Sequence, residues 1–143
     1  MSIISVSADS TTLVLNGTAV SDLITGDVIT LVPVNPVTSH INSSGGGVNI
    51  NERTDRGVYD LTVRVQRLSG SDTFLNNALR QSPITIFNGS LKENFTRDGV
   101  DFVESWLLES GSITTQPTKT TNDEDGNALS EYVIRFRNAT RNL

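Results

Sequence analysis

The sequence predicts a mainly β domain, a sandwich or barrel-like sheet with one flanking α-helix at about residues 71–81. Three observations carry that expectation. Two segments alternate apolar and polar residues with the period of a half-buried strand, Asn-Gly and Asp-Gly pairs punctuate the β-prone runs, and a single stretch has a convincing helical period.

Ile3 to Val6 and Thr12 to Leu15 are short β-prone runs, and Asn16-Gly17 tolerates the positive φ of a tight turn after them. Asp27 to Val34 is β-branched and apolar at successive positions, which predicts a strand covered on both faces; Pro33 and Pro36 remove ladder donors and end it near Pro33. From Asn35 to Gly57 there is little apolar periodicity, so this long stretch reads as a structureless loop that needs a functional reason. Val58 to Arg67 is the clearest strand: Tyr59, Leu61, Val63 and Val65 form its core face, and Asp60, Thr62, Arg64 and Gln66 its wet face.

Ser69-Gly70-Ser71-Asp72 offers a helix N-cap, after which Phe74, Leu75, Ala78 and Leu79 fall on one side until Pro83 limits the helix. Ile84 to Phe87 is expected to close on Asn88-Gly89, Ser90 to Phe95 to return, and Asp98-Gly99 to turn into Val100 to Glu109. Ser110 to Asn127 is polar and turn-rich, with Ile113 able to extend the strand before it. Ser130 to Asn138 alternates Tyr132, Ile134 and Phe136 against charged neighbours and forms the last strand. The chain of 143 residues shows no break in composition, so one domain spanning 1–143 is expected, with about seven or eight strands.

Composition narrows the function. A net charge of −5 argues against a stable nucleic-acid complex, which needs clustered cations to displace counterions from phosphates. With no cysteine there are no disulfides and no thiolate metal sites. The run Met1-Ser-Ile-Ile-Ser-Val-Ser has no basic region ahead of a long apolar one, and no stretch reaches the roughly 20 apolar residues of a membrane span, so neither signal-directed secretion nor membrane insertion is expected.

No motif for chemistry stands out. Gly45-Gly46-Gly47 lacks the Lys-Ser/Thr of a phosphate loop, and His40 has no second histidine or cysteine with which to share a metal. The acidic run Asp123 to Asn127 departs from a calcium loop at the twelfth position, where Ile134 stands. No pair of carboxylates can be assigned to acid and base roles from spacing. The expectation is a non-enzymatic protein with no cofactor. Arg53, Asp55, Arg56 and Arg64 mix both signs, as subunit ion pairs or a solvated face would.

The order of elements carries a resemblance. Residues 50–68 (INERTDRGVYDLTVRVQRL) followed by 71–79 (SDTFLNNAL), then 106–117 (WLLESGSITTQP) and 131–136 (EYVIRF), resemble the tail tube family of bacteriophages, contractile-tail type, and the similar inner-tube proteins of type VI secretion systems and bacteriocins. The resemblance covers most of the chain from about Ile50 by pattern rather than by a diagnostic signature. It implies a structural virion protein, assembled in the host cytoplasm, whose hexameric rings stack into a hollow tail tube for genome passage. Its implied partners are itself, the tape-measure protein, a sheath protein, the baseplate and the tail terminator, with DNA passing unbound and no membrane.

Within it, Asn35 to Gly57 becomes the inter-ring element, carrying Asn35, His40, Gly45, Gly46, Gly47, Arg53, Asp55 and Arg56. Asp60, Thr62, Arg64 and Gln66 become candidates for the lumen, while Tyr59, Leu61, Val63, Val65, Phe74, Leu75, Leu79 and Trp106 form the core. Two other readings stay open: a different virion component, such as a tail terminator or head decoration protein, or a carbohydrate-binding β-sandwich module using Trp106 and Tyr132 for stacking.

Overall fold

The computed structural model describes residues 4–21, 29–120 and 129–143, with side chains from residue 11 onward. The acidic run Asp123 to Asn127 and the start of the Asp27 to Val34 segment therefore lie outside the described residues. Among the described residues the chain is mainly β with one helix. The elements are β1 (Ile4–Leu15), β2 (Thr18–Val20), β3 (Ile29–Pro33), β4 (Thr38–Asn42), β5 (Val48–Glu52), β6 (Tyr59–Gln66), α1 (Gly70–Leu79), β7 (Phe87–Arg97), β8 (Val100–Thr115) and β9 (Leu129–Asn142). Seven strands form one antiparallel sheet in the order β2-β1-β7-β8-β9-β6-β3, and β4 with β5 make a separate two-stranded hairpin.

The sheet is rolled. Ile29 and Leu31 at one end of the strand order share a small cavity with Thr11 of β1, near the other end, and with Leu91 and Trp106 between them. Rolling turns one face of every long strand inward, so a single core gathers Leu13 and Leu15, Leu61, Val63 and Val65, Phe87 and Leu91, Leu108 and Ile113, and Tyr132, Ile134 and Phe136. Helix α1 adds the buried Leu75 and Ala78. It starts at Gly70 because the Ser69 hydroxyl accepts the Asp72 N–H, satisfying one orphan donor of the first turn.

Asn16 and Gly17 turn β1 into β2, and Asp98 and Gly99 turn β7 into β8, all four with positive φ. Elsewhere the structure departs from the sequence reading. From Ile4 onward the first two β-prone runs belong to one strand, interrupted by a register shift between Val6 and Thr11. Asn88-Gly89 is not a hairpin turn but part of β7, where the ladder to β8 shifts by a residue. The Asn88 side chain accepts the Ser110 N–H at 3.0 Å and the Asn88 N–H donates to Asn16 Oδ1 at 2.9 Å, tying three strands together. A Cβ on Gly89 would strike the Val14 carbonyl, so the glycine serves close strand approach rather than reversal.

Strand β3 ends at Pro33 as expected, but it is the edge of the sheet and is covered on one face only: Ile29 and Leu31 pack inward while Thr30 and Val32 are exposed.

Candidate assembly surfaces

The stretch Asn35 to Gly57 is not structureless. Residues 38–52 fold into the β4–β5 hairpin, with His40 opposite Ile50 and Asn42 opposite Val48. Its tip is closed by Ser43, whose N–H donates to the Gly47 carbonyl at 2.8 Å, with Gly46 at φ 87. Gly45 to Gly47 are thus turn residues, and Gly46 supplies a left-handed conformation that side chains resist.

The base is clamped. The Arg53 N–H donates to the Val37 carbonyl at 2.9 Å, the Asn35 side chain donates to the Asp55 carbonyl at 3.1 Å, and Arg53 makes a two-pronged pair with Asp55 at 2.9 and 2.8 Å. That pairing lowers the Asp55 pKa below the usual carboxylate range, chiefly through the guanidinium hydrogen bond. Arg56 is exposed beside this clamp. His40 stands in solvent on β4, 3.4 Å from the Thr38 hydroxyl. The low apolar periodicity had a physical cause: every residue of β5 is exposed, so the strand has no core face to write into the sequence.

The wet face of β6 is paired rather than bare. Asp60 accepts two hydrogen bonds from Arg135 of β9 at 2.8 and 3.1 Å, and Arg64 donates to Glu131 at 2.8 Å. Both pairs follow from the register that sets Asp60 opposite Arg135 and Arg64 opposite Glu131. Thr62 lies between them and Gln66 is exposed at the strand end. Both charges of β6 are therefore paired, the carboxylate that offsets Arg64 being Glu131, while Arg137 of β9 is exposed on the same side. Spacing within one strand does not reveal a partner on another, which is why the sequence reading missed Glu131 and Arg135.

Of the core candidates, Leu61, Val63, Val65 and Leu75 are buried, while Tyr59, Phe74, Leu79 and Trp106 are half-buried and packed against that core. Tyr59 meets Trp106 edge to face at a centroid distance of 5.3 Å. Tyr132 is buried and donates to Asp72 Oδ1 at 2.7 Å; burial, and then that carboxylate, push its phenol pKa up. A buried Tyr132 and a Trp106 engaged with Tyr59 offer no sugar-stacking platform, which removes the residues on which the carbohydrate reading rested.

Glu93 of β7 stands opposite Glu104 of β8, and both line the small cavity beside Ile29 and Leu31. The like charges are separated in function by their donors: the Thr11 hydroxyl donates to Glu93, while the Trp106 ring N–H and Arg141 donate to Glu104 at 3.0 and 3.1 Å. Arg141 above all holds the Glu104 pKa below its ordinary value. Among the described residues no group of three or more His, Asp or Glu side chains is placed to hold a metal ion, and no helix is long and apolar enough to cross a membrane.

Comparison with solved structures decides what kind of fold this is. The anti-feeding prophage cap, described as a tube terminating cap, superposes with a TM-score of 0.67 at 12% identity, covering 96% of this chain and 91% of that one. A chain of the sheath-tube complex of an extracellular contractile injection system, in its extended state, superposes with a TM-score of 0.64 at 11% identity over 96% and 91%. The chain has the fold of subunits from contractile injection particles. No protein-family model and no curated protein matches it in sequence. The shared fold spans nearly the whole chain, including the part before Ile50 that the sequence resemblance did not reach.

Proposed function

We propose that the protein is a structural, non-enzymatic subunit of a contractile, phage-tail-like particle, forming hexameric rings that stack into a hollow tube. The observation that carries this reading is the near full-length likeness of fold to two such particle subunits. Physical features agree with it. The sheet has two unpaired edges among the described residues, β2 and β3, and edge pairing around a ring would remove both. The outer face of β6 and β9 pairs Arg64 with Glu131 and Arg135 with Asp60, leaving the single exposed Arg137, so as a tube wall it would hold a polyanion only weakly. The tube would enclose the tape-measure protein, carry the sheath outside, join the baseplate and a tail terminator at its ends, and reside in the virion tail after assembly in the host cytoplasm.

The likeness to a tube terminating cap favours a second reading, a ring that closes a tube instead of extending it. Electron microscopy of the purified protein at rising concentration separates the two. Tubes that lengthen with concentration support the tube subunit, rings that never stack support the terminator, and a protein that stays monomeric throughout contradicts both.

A further inference from the structure

One carboxylate holds three parts of the fold together. Asp72, in the first turn of α1, accepts the Tyr132 hydroxyl at 2.7 Å on Oδ1 and the Ser130 hydroxyl at 3.2 Å on Oδ2, which ties the helix to β9. The same Oδ2 accepts the Leu68 N–H at 2.9 Å and so holds the turn that follows β6. A second tie falls on the neighbouring residue, where the Ser71 hydroxyl accepts the Ser21 N–H at 2.9 Å. A capping box alone would satisfy donors at the helix start and reach no further. Here the cap is also the anchor. Past this first turn α1 rests on apolar packing: Leu75 and Ala78 are buried, and Phe74 meets Phe87 edge to face at 6.0 Å. On its other flank the described residues leave a groove of about 360 Å³ between Asn76 and Leu79 of the helix and Gln116 and Pro117.

Leu68 works against that anchor. It sits at φ 65, in the left-handed region that a bulky side chain resists, and at 84% exposure it gains little packing in return. Such a conformation persists only where the surroundings impose it. The Asp72 carboxylate, by holding the Leu68 N–H, is the part of those surroundings that also grips β9.

We propose that α1 is a hinged element: when the Asp72 carboxylate lets go of Tyr132 and Ser130, the helix opens as one unit about Leu68 while the sheet stays folded. Opening lets Leu68 leave the left-handed region, so strain at the hinge favours release and the carboxylate opposes it. It also uncovers Phe74, Leu75 and Ala78, which pack against the core in the closed chain. The subunit thus carries an apolar face that it presents only with the latch undone. None of this depends on the proposed assembly, because latch, hinge and hidden face all lie within one chain.

Hydrogen exchange of the native wild-type chain, at low denaturant and at a concentration too low for association, tests the hinge. The amides of residues 73–80 should share one protection level, about tenfold or more below the slowest amides of β6 and β9, with a weaker dependence on denaturant. Leu68→Asn suits left-handed backbone at an exposed position, and should raise that shared level by about threefold or more. Asp72→Asn keeps the size but gives up an acceptor oxygen, and should lower the level by about tenfold or more. Protection that fades gradually toward the helix ends would mean fraying, and α1 amides exchanging in step with the sheet would mean no separate unit; either result overturns the proposal. An Asp72→Asn chain with wild-type protection would overturn the latch. Should that variant fail to fold, Leu68→Asn still decides, because unchanged protection of residues 73–80 would show that opening does not release Leu68.

Discussion

Glu104 gathers two donors at one atom: Oε1 accepts both the Trp106 ring N–H and the Arg141 Nε–H. Because its pKa is lowered in the folded chain, its contribution to stability is present above the ordinary glutamate value of about 4.3 and is lost as pH falls through the lowered value. Arg141→Gln should therefore be less stable than the wild type at neutral pH, with the gap closing in acid; denaturant titrations at neutral and acidic pH check this. Trp106 is the only tryptophan, so its emission should report the same protonation, and Glu104→Gln should abolish that acid transition.

Tyr132 makes a sharper case for burial. Tyr132→Phe leaves the Asp72 carboxylate without its shortest donor and should cost about 1–3 kcal/mol by equilibrium unfolding. That Tyr132 packs inward was legible from the alternation of the last strand. That its hydroxyl reaches Asp72, 60 residues away in sequence, was not, because helix and strand meet only in three dimensions. The reversal Asp60→Lys would place a lysine against Arg135 and lose an ion pair, so it tests the β6–β9 pairing as well as the exposed face.

Among the elements, those with a buried face were the ones the sequence revealed. Strand β6 and helix α1 wrote their inward sides into the period of the chain, whereas β5 had no inward side to write. Asn88-Gly89 misled because the same residues that favour a turn also relieve a bulge, and the choice depends on how closely β1 approaches. The helix offers a graded prediction. Leu75 is fully buried and Leu79 only half-buried, so Leu75→Ala should cost about 2–5 kcal/mol and Leu79→Ala clearly less, read as shifts in unfolding midpoint. The hairpin offers a dynamic one: amides of residues 38–52 should exchange quickly in the free subunit and slowly after assembly, and equal rates in both states would take the hairpin out of the contact.

For the whole molecule, exposed apolar side chains gather where one copy could meet another. The hairpin carries Ile41, Val48 and Ile50, Val37 precedes it, and the β7–β8 tip carries Val100, Phe102 and Val103, all exposed on the same end of the chain. A lone domain gains nothing from such an end, while a subunit covers it by association. Edge strands β2 and β3 would seal around the ring and the hairpin would meet the next ring, which uses different surfaces for the two directions and so builds a tube. Cryo-electron microscopy of the purified wild-type protein at rising concentration tests this most directly. The account predicts sixfold rings stacked head to tail, with the hairpin end of each against the helix end of the next; folded monomers alone at every concentration, or rings joined hairpin end to hairpin end, would contradict it.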